Sequence, residues 1–190
     1  MTYFYLVYPQ LIRLQKEILK HIQNQKKYKY TVGEYEEGKT LYITNGHLIA
    51  VTSIEECIFN YNSKYLSEFA LHPNKIRSII DDFSNIDNNK LIEVKLSSII
   101  KNKNNEYAVL RNQYYSREVI LNYKYFQFFD IDKYKLKLYI KADDEKFPVI
   151  IKTPKEGIFV GAIFPILNTD ELNKDIDIIQ LLNWRKDNNE

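Results

Sequence analysis

At 190 residues the chain is long enough for one substantial core, or for a few small units sharing one, and its 45% apolar and 27% charged residues are ordinary globular composition. A net charge of +2 and a pI near 8.4 exclude nucleic-acid binding by bulk charge alone, so any such role rests on how the cations are distributed. The lone Cys57 excludes an intramolecular disulfide and a multi-cysteine metal site, while sixteen Tyr and ten Phe favour sheet over helix.

Residues 2–8 are β-rich and stop at Pro9, which suits the first turn of a helix. From Gln10 to about Gln25, Leu11, Leu14, Ile18 and Ile22 recur at helical spacing, with Ile12 and Leu19 widening the stripe. Three strands are predicted next, over 28–35, 40–44 and 47–53. Their turns fall at 36–39 and at Asn45-Gly46, the latter a strong short-range hairpin signal.

The order then recurs. Residues 68–71 read as a short strand, His72-Pro73-Asn74 opens a helix to about Phe83, and 91–98 and 106–112 alternate as strands, with 114–116 beginning another. A third round starts with a strand at 118–121, after which Asn122 heads a short helix to about Phe129. Strands at 136–141, 149–152 and 158–164 complete it, and the asparagine-rich joints at 84–90 and 101–105 read as loops. The expectation is an α+β chain of about three β-α-β-β-β half-domain units, over residues 1–67, 68–116 and 117–167, followed by a helical tail over 168–190.

Three stretches carry a resemblance. Leu41-Tyr42-Ile43-Thr44-Asn45-Gly46-His47-Leu48-Ile49-Ala50-Val51 follows the wording LYATDGHRLAV, with Asn45 and Leu48 in place of Asp and Arg. Leu121-Asn122-Tyr123-Lys124-Tyr125-Phe126 is similar to LNAKYL. Phe147-Pro148-Val149-Ile150-Ile151, then Gly157 and Ala162-Ile163-Phe164-Pro165-Ile166, is similar to PVLI…G…VMPMR. These wordings belong to bacterial DNA sliding clamps, and over residues 10–167 the chain resembles that family in a shortened form of the phage or mobile-element kind. The resemblance implies a largely antiparallel sheet with all its helices on one face, lining the inside of a ring. It also implies a non-catalytic processivity factor without cofactor or metal. The partners would be duplex DNA, bound without sequence preference, replication proteins such as a DNA polymerase, and further copies of the chain.

A ring that slides on DNA needs cations on the free face of its helices, because phosphate contacts carry no sequence information and permit movement. At roughly 100° per residue, Arg13, Lys16 and Lys20 fall opposite the apolar stripe of the first helix, with Glu17 the dissenting charge. The second helix offers Lys75 and Arg77, offset by Asp81 and Asp82; the third offers Lys124 but ends in Asp130 and Asp132. These six cations are the DNA-contacting residues that the resemblance implies. The solvated face of any amphipathic helix presents the same residue types.

Past Leu167, where a clamp ends, the chain continues. Thr169 and Asp170 can cap a helix. Gln180-Leu181-Leu182-Asn183-Trp184 approximates the Q-L-x-L-F peptide that docks to bacterial clamps, which marks Gln180, Leu181 and Trp184 as candidate partner-docking residues. An amphipathic helix packed on the sheet has the same spacing. His21, His47 and His72 lie in different elements without metal-ligand spacing, and the chain has no nucleophile elbow and no Gly-rich phosphate loop. One catalytic alternative remains, a Mg-dependent nuclease using Asp82, Glu93 and Lys95, because Glu93-Val94-Lys95 with acids upstream has the D…E-x-K order of metal-holding nucleases. Another keeps the fold but binds a host replication or defence factor without DNA. No apolar run reaches the ~18 residues of a membrane span. The start MTYFYLVYPQ lacks the marks of a signal peptide, so a cytoplasmic location and no membrane partner are expected, and the resemblance implies that the cell is bacterial or phage-infected.

Overall fold

Apolar residues on both sides of several strands drive most of the chain into one sheet with two covered faces. A computed structural model describes residues 8–25, 30–66, 73–101, 105–144 and 146–166. The strands are β1 (Thr31–Glu36), β2 (Thr40–Thr44), β3 (Leu48–Ser53), β4 (Leu91–Lys101), β5 (Glu106–Asn112), β6 (Tyr115–Asn122), β7 (Lys137–Lys141), β8 (Val149–Lys152) and β9 (Phe159–Ile163). They form a nine-stranded sheet in the order β1-β2-β3-β9-β8-β7-β4-β5-β6, and every neighbouring pair is antiparallel. The helices are α1 (Ile12–Gln23), α2 (Pro73–Ser84), α3 (Tyr123–Gln127) and α4 (Ile131–Tyr134). No helix among the described residues is long and apolar enough to cross a membrane.

The α+β class and the antiparallel sheet are as expected, but the helices do not share one face. Ile43, Leu48, Ala50, Val149 and Ile151 pack in one cluster with Leu14 and Ile18 of α1, Phe126 of α3, and Ile131 and Tyr134 of α4. Tyr42, Ile49, Val51 and Ile150, the alternate positions of the same strands, pack instead with Ile76 and Ile80 of α2. The physical reason lies in the burial of β2, β8 and β9, whose every residue is buried: a strand that is apolar on both sides needs cover on both. Each fully buried Leu or Ile contributes about 2 kcal/mol by removal from water.

Two local expectations also change. Helix α1 begins at Ile12 rather than beside Pro9, because Leu11 takes a left-handed conformation with φ 50° and is itself fully buried. Pro9 is used differently: its carbonyl accepts from the Thr52 hydroxyl at 3.3 Å and ties the segment to β3. The buried Gln15 holds the bend, donating to the Gln10 and Glu56 carbonyls and accepting from Ile58 N–H at 2.8 Å. The strand expected at 118–121 and the one starting at 114–116 are a single strand, β6, so the expected unit boundary at 116/117 falls inside it. The strand at 68–71, most of 2–8 and the tail from 168 lie outside the described residues.

Sheet connectivity is long-range where it matters most. Strand β3 pairs with β9 through Leu48↔Ile163, Ile49↔Ala162 and Ala50↔Gly161. Gly161 is required there, since a Cβ would lie 2.5 Å from both the Ile49 carbonyl and the Phe129 ring. Strand β4 joins two regions: Leu91–Val94 pairs with β7 and Lys95–Lys101 with β5, with an irregularity between Leu96 and Ser98. Beyond β9, the Ile166 N–H donates to the Ile120 carbonyl at 2.9 Å, so the departing chain meets β6.

Candidate nucleic-acid interface

The expected hairpin at Asn45-Gly46 is present, though not as a two-residue turn. Thr44 pairs with Ile49, which leaves four loop residues, and Gly46 has φ 85°. The Asn45 carboxamide oxygen accepts from His47 N–H at 3.0 Å and Leu48 N–H at 3.1 Å, while the Thr44 hydroxyl donates to the Leu48 carbonyl at 2.7 Å. His47, freed from strand pairing, stacks on Tyr125 with centroids 5.8 Å apart and planes 13° from parallel. The hairpin tip is thereby fastened to α3.

Helix α1 places its cations as its periodicity dictates. Leu14 and Ile18 point inward and are fully buried, and Arg13, Lys16 and Lys20 are exposed on the opposite side. Asn122 starts α3 by accepting the Lys124 N–H at 3.0 Å, which projects Lys124 to the surface. Two of these cations carry intramolecular partners. Arg13 pairs with Asp130 at 3.1 Å, and Lys124 pairs with Glu17 of α1 while lying 5.7 Å from the Phe128 ring centroid. In both pairs the cation is exposed and the carboxylate largely covered, and the pairing lowers the net field of the surface. Lys133 and Lys135, on and just after α4, are exposed in the same layer. In the amino-acid order they are masked by the neighbouring Asp130 and Asp132, which make the segment read as acidic.

Lys75 and Arg77 belong to the other face, with α2, and do not join this group. Lys75 is exposed. Arg77 fastens its helix to the sheet, its Nε–H donating to the Glu34 carbonyl at 2.9 Å and a terminal N–H to Asn74 Oδ1 at 3.4 Å. Nearby, the Tyr35 hydroxyl donates to Asp81 at 2.6 Å. Burial first, and then that hydrogen bond, pushes the Tyr35 pKa up to about 12. Glu34, Tyr35, Glu37 and Arg77 line an open cleft of about 410 Å³. Its charges are of both signs and it presents no nucleophile paired with a base.

The residues of the nuclease alternative lie on α2 and β4. Asp81 is engaged by Tyr35, Glu93 pairs with Lys137 at 3.2 Å, and Asp82 and Lys95 are exposed. Among the described residues no group of three His, Cys, Asp or Glu side chains is placed to hold a metal ion. Cys57 is half-buried, donates to the Phe59 carbonyl at 3.2 Å, and has its thiol pKa pushed up by burial, which disfavours the thiolate that chemistry would need. His72 lies outside the described residues, as do Gln180, Leu181 and Trp184.

One helical layer carries Arg13, Lys16, Lys20 and Lys124 together, with Lys75 and Arg77 elsewhere. No family model, no curated protein and no solved structure matches the chain.

Proposed function

We propose that this is a non-catalytic, clamp-like protein that associates with the phosphates of duplex DNA through the α1, α3 and α4 layer and tethers replication proteins beside it. Charge placement carries the reading. The helices of this layer and their flanks hold Arg13, Lys16, Lys20, Lys124, Lys133 and Lys135 against Glu17, Asp130 and Asp132, whereas α2 holds Lys75 and Arg77 against Asp81 and Asp82. Lys16 and Lys20 are the principal contacts, since Arg13 and Lys124 already have carboxylate partners. A modest cationic excess suits a protein that moves along DNA, because strong attraction would hold it in place. The likeness of β2, β3, β8 and β9 to clamp wording supports the same reading and the homo-oligomer that goes with it. A ring lined by the helices of every unit is not part of it, because α2 faces the other way, and Lys75 and Arg77 are left out of the interface.

The test is anisotropy of a labelled duplex titrated at several salt concentrations, with light scattering on the same samples for oligomeric state. Binding at low salt is expected, and Lys16→Ala/Lys20→Ala should weaken it about tenfold, near 1.4 kcal/mol. The log–log salt slope should fall by about 0.9 for each phosphate that the variant no longer neutralises. No binding at low salt, or equal binding by the double variant, overturns the proposal. The DNA-free interaction protein would then replace it, a reading that the ion pairs on Arg13 and Lys124 favour.

A further inference from the structure

Strands β4, β5 and β6 have an outer face turned away from α1. Ala108, Leu110, Val119 and Leu121 point inward to the main core. Their alternates, Tyr107 and Val109 of β5 and Ile120 of β6, share the outer face with Ile100 of β4. Val109 is 2% exposed and Tyr107 8% exposed. A central strand residue is not buried to that degree by its own sheet, which leaves one side open unless something lies across it. Among the described residues, the apolar cluster on this face takes one member from outside β4–β6, namely Ile166, whose N–H also bonds the Ile120 carbonyl. The described chain thus ends on this face, with 167–190 still to come.

We propose that the C-terminal segment 167–190 is the partner of this face within the same chain, its apolar residues laid across Ile100, Tyr107, Val109 and Ile120. Leu172, Ile176, Ile179 and Leu182 recur at the spacing of an amphipathic stripe, with Ile178, Leu181 and Trp184 beside it. The acidic Asp170, Glu171, Asp175 and Asp177 precede the most apolar stretch, and Lys95 is exposed at the rim of the face. The short distance between the anchor at Ile166 and these residues makes the local concentration of the segment high, which favours docking in cis over capture of another molecule. Docked in this way, Gln180, Leu181 and Trp184 are engaged by the protein itself, and a peptide-binding partner competes with its own sheet for them. The proposal concerns a different surface from the DNA layer, and either can fail without the other.

Trp184 is the sole tryptophan, so the full-length protein reports on itself. Its emission should lie to the blue of N-acetyltryptophanamide and resist acrylamide quenching, and Ile100→Glu/Ile120→Glu should shift it to the red with quenching restored. A nitroxide on Lys95→Cys in a Cys57→Ser background should quench Trp184 without altering the sheet, which keeps the test intact if the double variant does not fold. Emission like the free amide together with no nitroxide quenching overturns the proposal. Quenching that vanishes on dilution, with a dimer seen by light scattering, also overturns it, because the segment then occupies a second copy.

Discussion

The two helical layers obey the same packing rule and carry different charge. Helices α1 and α2 are of equal length and each buries a narrow apolar stripe, Leu14 and Ile18 in one, Ile76 and Ile80 in the other. The free side of α1 shows Arg13, Lys16 and Lys20 against Glu17, whereas Lys75 and Arg77 of α2 are balanced by Asp81 and Asp82. Burial decides that each helix binds the sheet; the solvent side is free to differ, and function is read there. Arg77 shows the limit of counting cations, because its guanidinium is spent on the Glu34 carbonyl and fixes a helix instead of meeting a ligand.

This contrast can be broken at several points. The largest effect should come from the buried stripes: Leu14→Ala and Ile80→Ala should each cost about 3 kcal/mol in urea melts. An Ile80→Ala cost below about 1 kcal/mol would show α2 to be a loosely laid cover rather than half of a two-sided core. Next comes the DNA titration, where Lys75→Ala serves as the internal control and should leave affinity unchanged while Lys16→Ala/Lys20→Ala weakens it. Arg77→Ala should lower stability by about 1 kcal/mol through the removal of its hydrogen bonds while DNA affinity stays constant.

The smallest effect is a pH dependence at Tyr35. Its folded-state pKa is raised from 10.0 to about 12, so the protonated hydroxyl is favoured by the fold. The stabilisation is complete below pH 10 and is lost as pH rises from there to about 12. The stability gap between the wild-type chain and Tyr35→Phe should therefore be constant below pH 10 and shrink above it. A gap independent of pH across that window would show that neither burial nor the Asp81 hydrogen bond favours the protonated hydroxyl.

Local features were legible in the amino-acid order and long-range ones were not. The bounds of β2, β5 and β8, the cap at Asn122 and the span of α2 follow from alternation, turn residues and helical period, which depend on near neighbours. Periodicity says that a helix has a buried side but not which side of a sheet receives it, so the separation of α2 from α1 was invisible. The pairing of β4 with both β7 and β5 was hidden for a similar reason, since one long alternating strand reads the same with any partners. Leu11 was missed because a left-handed leucine has no local signature; Gln15 and the 54–58 loop impose it. In the α1, α3 and α4 layer, the exposure of Arg13, Lys16 and Lys20 follows from their spacing, but the pairing of Arg13 with Asp130 and of Lys124 with Glu17 depends on how α3 and α4 fold against α1.

The pairing of Leu48 with Ile163 sets a timetable for the molecule. A ribosome adding about 5–20 residues per second leaves the free edge of β3 without its partner for on the order of ten seconds after it emerges. During that interval a nascent three-stranded meander, apolar on both sides, offers a template to any passing strand. The middle of the sheet, where β9 and β8 lie, is thus the last part of it to be made.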